Sequence, residues 1–481
     1  MTTVRLGWLT AGAALAAIHC ALVPLSRSFD YAGAPIDYPV VAFVVLELLA
    51  GGVYLTLLWL VPRSLPRRDL LVLVLAVGVV MRAAMAVSTP ILEDDYYRYL
   101  WDGAVLARGE NPYRFSPAHV LAAREQGTDD AALARLAELA RASLPVAERV
   151  NHGRLTTVYP PIAQGFFALA AVIEPFGLAA WRAIALLADA ATLTLLYLLL
   201  MRLKRSPLWL ALYWWSPLVV KELVNSAHMD VLLLPALTAS LLALLTARRI
   251  LACLGIAFAA GVKLWPVALL PAAITELAAR SNRPIAAVSA GLAVFAAAFA
   301  GTAWWLAGQT DGTSGLGVYA REWRMNDALF LSIEWMVDTA MTGTGLAWID
   351  SGSVARAILA AILGGLVLWL ARHAAADDRA LCRRFTIVVA LVFLLSPAQF
   401  PWYYTWVVPF LALTPSPGLT LLGALLPLYY LRFHLAFRGQ AELFDHGIVW
   451  IEYLPVWLLL AWEWRARRRR TPSLGFAPGH P

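Results

Sequence analysis

The sequence predicts an all-α protein, a polytopic transmembrane helical bundle of about 12–14 spans whose long extracytoplasmic loop carries amphipathic helices. Hydrophobic residues make up 61% of the 481 residues and charged residues only 14%. That charged share is about half the share found in a soluble domain. The apolar residues also fall in runs of about 20, the length that crosses a hydrocarbon layer. This composition excludes a disordered chain, and no basic face is present that would predict nucleic-acid binding.

The spans follow from the apolar runs in chain order. The long runs are 7–25, 38–61, 70–87, 180–201, 207–222, 230–246, 285–306, 354–372, 418–434 and 447–462. Shorter runs lie at 161–174, 250–262, 264–277, 385–396 and 403–413. The shorter runs are half-helices or tight pairs, because they cannot cross a membrane alone without tilt. No second soluble domain is visible, so residues 1–481 are expected to form a single integral-membrane domain.

Basic clusters between the runs predict the orientation, because Lys and Arg are enriched in cytoplasmic loops. The clusters are Arg5, Arg63 to Arg68, Arg202 to Arg205, Arg248 with Arg249, Arg280 with Arg283, Arg379 to Arg384, and a cytoplasmic basic tail at 465–481. All of them lie on the same side of the membrane under two conditions. Run 161–174 must enter the membrane and return to the side from which it came, and runs 250–262 and 264–277 must form a short up-and-down pair. Segments 88–160 and 307–353 then become the two large extracytoplasmic loops.

The first large loop contains an amphipathic pattern. Residues 129–141 show helical spacing of apolar side chains, with Asp129 and Asp130 at the start and Arg141 at the end. Acids near the first turn and a base near the last turn are typical of a helix. A helix of this kind is expected to lie on the membrane surface.

The densest group of chemistry-bearing residues lies just after the third span. It comprises Glu93, Asp94, Asp95, Arg98, Tyr99 and Asp102. Crowded carboxylates raise one another's pKa, and a nearby Arg keeps one of them ionised. This combination suits a general base, or a divalent-cation site for Mg or Mn built on Asp94 and Asp95. The alternative is a solvated helix cap, since acids favour the first turn of a helix.

Four further outer segments supply candidate pocket residues. They are His152, Tyr159 and Gln164; His228 and Asp230; Lys263; and Gln399 with Trp402. Lys263 is a lone cation with no acid nearby in the sequence, and it either snorkels to the interface or neutralises a lipid phosphate. The others either line a sugar pocket or are polar residues whose hydrogen bonds are satisfied within a loop. The aromatic residue Trp402 also fits an interfacial belt.

Several segments together resemble the GT-C superfamily of integral-membrane glycosyltransferases, in particular its bacterial polyprenyl-phosphate-mannose-dependent mannosyltransferases. The segments are Asp95-Tyr-Tyr-Arg-Tyr99, Arg108-Gly-Glu-Asn-Pro-Tyr113, Thr157-Val-Tyr-Pro-Pro161, Asn225-Ser-Ala-His-Met-Asp230 and Val262-Lys-Leu-Trp-Pro266. The resemblance covers about residues 85–270. It implies a GT-C-like bundle in a bacterial inner membrane, with the active site on the extracytoplasmic face.

The resemblance also implies a reaction. A hexose, expected to be mannose, moves with inversion from a polyprenyl-phosphate donor to a lipid or glycan acceptor, in contact with membrane lipids. An aspartate of the first outer loop is the base in that family, which places the role on Asp95, with Asp94 as the second choice. Lys263, Arg98 and Arg114 would stabilise the leaving phosphate. Because Glu93-Asp94-Asp95 replaces the family's Asp-x-Asp spacing, the choice of base and the presence of a metal stay open.

A transporter or lipid flippase is the alternative from another functional class. Transporters carry paired broken helices and ionisable residues at the middle of the membrane, and the short pair around Lys263 fits that description. The acids, however, concentrate in an outer loop, and no inverted repeat is visible. A non-catalytic assembly scaffold is a weaker third hypothesis.

Overall fold

The computed structural model of the protein describes residues 2–31, 33–246, 248–309, 314–345 and 348–470. Within these ranges the chain is helical, and one isolated β-bridge joins Met325 to Ala398. The predicted all-α class is therefore confirmed. Residues 471–481 of the predicted basic tail lie outside the described residues.

The helices follow one another with short connections. Before the first large loop they are α1 (Thr2–Ser26), α2 (Val40–Leu55), α3 (Leu57–Leu60) and α4 (Arg68–Ala86). The loop carries α5 (Asp95–Ala107), α6 (Pro117–Gln126), α7 (Ala131–Ala142) and α8 (Leu144–Glu148). The middle of the chain forms α9 (Pro161–Ile173), α10 (Leu178–Arg202), α11 (Ala211–Trp214), α12 (Pro217–Val220), α13 (Leu233–Leu245), α14 (Ile250–Val262), α15 (Leu270–Ala279) and α16 (Pro284–Ala307).

The C-terminal part contains two helices within segment 307–353 and a further group of long and short helices. They are α17 (Gly315–Glu322), α18 (Ala328–Gly343), α19 (Ser351–Ala371), α20 (Asp378–Leu394), α21 (Pro401–Tyr404), α22 (Val408–Leu413), α23 (Pro417–Leu425), α24 (Leu431–Ala436), α25 (Ala441–Leu443) and α26 (Val449–Arg470). Short 3-10 and π-helical segments join several of them, including Lys221–Asn225, Met229–Leu232 and Trp265–Leu269.

Eight helical runs of the described residues are long and apolar enough to cross a membrane, or nine if one bent pair counts as a span. Three shorter apolar helices are Pro161–Ile173, Ile250–Val262 and Trp265–Ala279. The sequence count of about 12–14 is higher because it included these short runs and runs that proline residues break into pieces. Length and composition identify an integral-membrane protein in either case.

The predicted span at 207–222 shows how such a run is broken. It is built from several short helices that begin at Pro207 and Pro217, because proline cannot continue a helix from the preceding turn. The pair Pro217–Asn225 and Met229–Leu245 is bent by 105°. The bend buries the segment Lys221–Asp230 completely inside the bundle, where the sequence predicted an outer loop.

Basic clusters that are distant in sequence meet at one end of the bundle. Arg202 and Arg280 both pair with Asp378, at 3.2 and 3.4 Å. Arg280 and Arg384 both pair with Glu276, at 2.8 and 3.4 Å. This end is the one that the basic clusters predict to be cytoplasmic, so the structure agrees with placing these clusters on a common side.

The first large loop packs on the other end through its own helices. Helix α7 forms where the amphipathic pattern predicts it, and the Asp130 carboxylate caps its start by accepting from the amides of Ala132 and Leu133. Its apolar face, however, is buried by protein, largely by α6. This face is therefore covered by protein, whereas the predicted placement on the membrane surface needs it free to enter the lipid.

Candidate active site

A cavity of about 850 Å³ opens among segments that are far apart in the sequence. Its walls come from the start of α5, the segment 151–160, residues 262–265, residues 316–325 and the segment 396–406. This volume lies within the range of small-molecule sites, about 300–1,000 Å³. The cavity therefore joins the acidic motif to parts of the chain that are more than 300 positions away in sequence, such as Trp406 and Phe433.

The acidic motif faces this cavity and is held by two side chains. The Asn151 amide donates to Asp94 Oδ1 at 2.9 Å and to Asp95 Oδ1 at 2.7 Å. The Tyr159 hydroxyl donates to Asp95 Oδ2 at 3.3 Å. The Asp95 side chain keeps 21% of its surface exposed. Asp95 is thus oriented by hydrogen bonds and still accessible to a molecule in the cavity.

The acids of the motif differ in their electrostatic surroundings. Burial, with the charge of Asp95 beside it, raises the pKa of Asp94 from 3.8 to about 6. Burial also raises the pKa of Glu93 well above its usual value, and the charges of Glu222 and Asp95 act in the same direction. Desolvation and like charges both disfavour the ionised form. These shifts favour the proton on Glu93 and, below pH 6 or so, on Asp94.

Lys263 faces the same cavity, and the fold supplies the acidic partner that is missing from its sequence neighbourhood. Its Nζ atom lies 2.7 Å from Asp230 Oδ1 and 3.6 Å from the centre of the Tyr403 ring. The Trp406 indole donates to the same Asp230 oxygen at 2.6 Å. The ammonium group is therefore fixed at the cavity wall rather than free to move into the membrane interface.

The two arginines predicted to bind phosphate are placed differently. Arg98 lines the cavity, but its guanidinium donates to the carbonyls of Asn151, His152 and Leu155 at 3.1–3.2 Å and so shapes the turn that carries Asn151. Arg114 pairs with Asp130 at 2.7 Å, its side chain is 54% exposed, and it does not line the cavity. The structure therefore places Arg114 at a helix cap of the loop and does not bring it to the cavity with Arg98 and Lys263.

The remaining predicted pocket residues divide into two groups. Glu93, Tyr99, His152, Tyr159, Asp230 and Trp402 line the cavity. Asp102, Gln164, His228 and Gln399 do not. Asp102 and Gln164 hydrogen-bond to each other at 3.0 Å between α5 and α9. The Gln399 amide donates to the carbonyls of Leu394 and Ser396, which fixes a turn of the backbone.

His228 lies behind the cavity wall. Its ring stacks on Trp402 with the centroids 4.2 Å apart. The ring is fully buried and does not line the cavity.

Several cavity residues were not identified from the sequence. Among them are Asn151, Tyr319, Trp323, Tyr403 and Trp406. The two hydroxyls of Tyr319 and Tyr403 are 2.8 Å apart, which brings α17 of the second outer loop against the cavity. Aromatic residues near a membrane boundary are typical of an interfacial belt, so their position gave no signal of a site. The sequence provides only a weak indication for Asn151: it precedes His152, and ionised carboxylates need a hydrogen-bond donor.

The donors of the acidic motif do not fit a divalent cation well. The Oδ1 atoms of Asp94 and Asp95 are both directed at the same amide N–H donor, which a cation in that place would displace. In the described part of the chain no group of three or more His, Cys, Asp or Glu residues is arranged to hold a metal ion. The two carboxylates, as the Asn151 amide holds them, are therefore not arranged to share a cation.

Residues 5–280 match the family model described as alpha-(1->6)-mannopyranosyltransferase, N-terminal domain. No curated protein and no solved structure matches the chain. The matched range includes the acidic motif, Asn151, Asp230 and Lys263, whereas the aromatic segment 396–406 lies beyond it.

Proposed function

Because the chain belongs to the alpha-(1->6)-mannopyranosyltransferase family, it is a mannosyltransferase of the membrane, and we propose that it takes mannose from a polyprenyl-phosphate donor. We further propose that the acceptor is a lipid or glycan hydroxyl, that the anomeric centre inverts, and that the reaction occurs on the extracytoplasmic side. The observation that carries this proposal is that the Asp95 carboxylate and the Lys263 ammonium face one cavity in a membrane bundle. Membership of an enzyme family removes the reason to retain the transporter and scaffold hypotheses.

Asp95 is the proposed general base. Its Oδ1 is held by Asn151, and the exposed part of its carboxylate faces the cavity. It takes the proton of the acceptor hydroxyl while that oxygen attacks C1 of the mannose. The bond from C1 to the phosphate oxygen breaks, and the phosphate leaves with the electron pair. A single displacement of this kind inverts the configuration at C1. Asp94 is the weaker candidate, because its raised pKa favours the protonated form at lower pH.

Lys263 is the proposed partner of the leaving phosphate. A fixed positive charge stabilises negative charge that develops in the transition state, and it acts more strongly where water is excluded. The contacts with Asp230 and Tyr403 hold Nζ in place before the substrate arrives. Arg98 supports the site by shaping the turn at Asn151.

The lining of the cavity supports a lipid-linked donor. Apolar side chains of Val262, Leu264, Trp265, Val392 and Phe433 share the cavity with the acids and the lysine. A polyprenyl phosphate needs both environments, an apolar surface for the chain and polar groups for the phosphate sugar. A nucleotide-activated sugar needs polar contacts to its base and ribose instead.

The experiment compares Asp95→Asn with Asp94→Asn in protein reconstituted into liposomes. Radiolabelled polyprenyl-phosphate mannose is the donor, and a nucleotide-activated mannose is the comparison donor. We expect Asp95→Asn to lower kcat by about 10²–10⁴-fold, the usual size of a general-base contribution, with donor binding retained. Asp94→Asn is expected to keep most of the activity. The linkage formed is read by NMR, with inversion expected.

Two results would contradict the proposal. If Asp95→Asn transfers mannose at the wild-type rate, the base has been assigned to the wrong carboxylate. If the wild-type protein uses the nucleotide-activated mannose as well as the lipid-linked donor, the proposed donor class is wrong.

A further inference from the structure

A second cavity, of about 270 Å³, lies between the end of α19 and the first turns of α20. Its wall contains the side chains of Arg372, Arg383 and Arg384, with Trp369 beside them. Arg384 also pairs with Glu276, so this cavity lies at the arginine end of the bundle. Sites that enclose a whole small molecule measure about 300–1,000 Å³. The smaller volume here suits one part of a larger ligand.

The turn between α19 and α20 is held in place by α15. The Thr275 hydroxyl donates to the Ala371 carbonyl at 2.7 Å, and the Glu276 carboxylate accepts from the Ala375 amide at 2.5 Å. The same carboxylate lies 3.4 Å from Arg384, whose side chain is only 13% exposed. The wall of the cavity is therefore positioned by contacts within the protein, and a ligand would not have to order it.

This wall carries positive charge that the protein does not neutralise. Among the residues that the structure describes, no carboxylate lines the cavity. The two acids at the start of α20 are used elsewhere, because Asp377 caps the helix and Asp378 pairs with arginines of other helices. Arg372 and Arg383 have no ion-pair partner within the described ranges. The positive-inside rule explains why arginines lie at this end, but it does not require them to line a concave surface.

The same cavity borders the surface that faces lipid. Only 22% of the apolar stretch of α19 is buried inside the protein. Two apolar residues of the cavity wall are exposed, Trp369 by 57% and Ile387 by 36%. The Arg372 guanidinium lies 4.5 Å from the centre of the Trp369 ring, and tryptophan is enriched at the level of the lipid headgroups. An anion bound here would therefore sit at that level, with an apolar surface next to it.

We propose that this cavity binds the phosphate group of an anionic glycerophospholipid of the membrane. Arg372, Arg383 and Arg384 donate to the phosphate oxygens, because a guanidinium group matches the geometry of phosphate. The acyl chains lie along Trp369 and Ile387. Basic pockets between membrane helices on the cytoplasmic side are known to suit anionic headgroups. A soluble phosphate compound offers the same anion but leaves the apolar border of the cavity unused. The proposal does not depend on the reaction in the first cavity.

The test measures binding of phosphatidylglycerol to the purified full chain in neutral detergent by native mass spectrometry. Phosphatidylcholine with the same acyl chains is the comparison lipid, and the wild type should prefer phosphatidylglycerol. The double variant Arg372→Gln/Arg383→Gln should bind it about 30-fold more weakly, taking about fivefold for each arginine beside an anionic lipid. Both side chains are exposed, so the variant should fold, and thermal unfolding checks this. Arg379→Gln is the matched control, since it changes an exposed arginine of α20 that does not line the cavity.

A loss of affinity in the double variant alone supports the lipid site. Unchanged affinity in the double variant overturns it, and so does an equal loss in Arg379→Gln, which would assign the binding to the general positive charge of this end. Glycerol 3-phosphate tests the soluble source of the anion. If it displaces phosphatidylglycerol at a comparable concentration, the cavity binds free phosphate compounds and the lipid assignment is overturned. If the double variant does not fold, Arg383→Gln alone decides, with a loss of about fivefold expected.

Discussion

Asn151 donates one amide group to two adjacent carboxylates, and this sharing sets the chemistry of the acidic motif. The Oδ1 atoms of Asp94 and Asp95 must lie close together to reach the same nitrogen, at 2.9 and 2.7 Å. Two negative charges in that position repel each other, so the carboxyl with the higher pKa keeps its proton to a higher pH. Burial and this repulsion raise the pKa of Asp94 to about 6. The arrangement leaves Asp95 as the carboxylate available for a base.

The raised pKa of Asp94 predicts a pH dependence of stability. The folded protein holds this proton up to about pH 6, whereas the unfolded chain loses it near 3.8. The folded state therefore binds more protons between these values, and its stability falls as the pH rises through that window. The cost above pH 6 is at most about 3 kcal/mol, from a shift of about two units at 1.36 kcal/mol each. The Asp94→Asn substitution removes this free-energy cost, because the amide does not ionise.

The measurement is the melting temperature of purified protein at pH 4.5 and pH 8. Relative to wild type, Asp94→Asn should be more stable at pH 8 than at pH 4.5, because only the wild type ionises a buried group there. Glu138→Gln, which changes an exposed acid of the same loop, should show no such difference. A pH-independent effect of Asp94→Asn would contradict the assigned cause.

At the scale of elements, the packing of α5 on α9 positions the acidic motif. Asp95 is the first residue of α5, and Gly103 lies on the face of α5 that meets α9. A Cβ atom at Gly103 would lie 2.2 Å from the Phe167 carbonyl oxygen. Helices approach closely where a small residue removes side-chain volume from the contact. The same helix α9 begins at Pro161, just after Tyr159, which contacts Asp95.

Gly103→Ala is therefore expected to lower stability and activity together. The added methyl group meets backbone, which cannot move aside as a flexible side chain can, so overpacking of about 1–3 kcal/mol follows. Thermal unfolding and mannose transfer are the measurements. Gly165→Ala in α9 is the matched control, since nothing lies within 4 Å of a Cβ at that position. Equal behaviour of the two variants would show that the α5–α9 contact does not set the site.

A second element, the bend between Pro217–Asn225 and Met229–Leu245, links the acids to the membrane core. The Asn225 side chain donates to the Thr89 carbonyl at 2.8 Å and accepts from the Ile91 amide at 2.9 Å. These bonds fix the segment that leads into Glu93. The same bend presents His228 and Asp230, so one broken helix positions the acidic motif, the buried histidine and the partner of Lys263.

At the scale of the whole molecule, charge is divided between two ends. Acids and Lys263 converge on the cavity at one end, and the arginines that pair with Asp378 and Glu276 gather at the other. The positive-inside rule assigns the arginine end to the cytoplasm. This assignment predicts that the cavity opens on the extracytoplasmic side.

Cysteine labelling tests that orientation. Cys20 is the exposed native cysteine, and it is first replaced by serine. In sealed, right-side-out vesicles, a membrane-impermeant maleimide should label Glu138→Cys, whose side chain is 70% exposed in the loop near the cavity. Arg248→Cys, at the opposite end, should react only after the membrane is opened. The reverse pattern would invert the topology and place the cavity in the cytoplasm.

Composition and local patterns were enough to predict the class of the protein and the location of its principal acids. Hydropathy and charge are properties of local composition, so the helical membrane bundle and the basic clusters were readable without a structure. Asp94 and Asp95 stood out because three consecutive acids beside an apolar span carry a cost wherever they fold. The start of α9 at Pro161 was equally local, since proline restricts its own backbone.

Which side chains contact one another depends on the folding of distant segments into one bundle. Lys263 contacts Asp230, which is 33 positions away in the sequence. Asn151 donates to Asp94 and Asp95, more than 50 positions away. Arg114 pairs with Asp130 instead of lining the cavity. The sequence alone favoured a membrane-interface role for the aromatic residues near Trp406, whereas the fold places them in the cavity wall. Hydrogen bonds and ion pairs act only between atoms a few ångströms apart. The number of residues between two side chains does not determine their distance in space, so these contacts could not be predicted from the sequence.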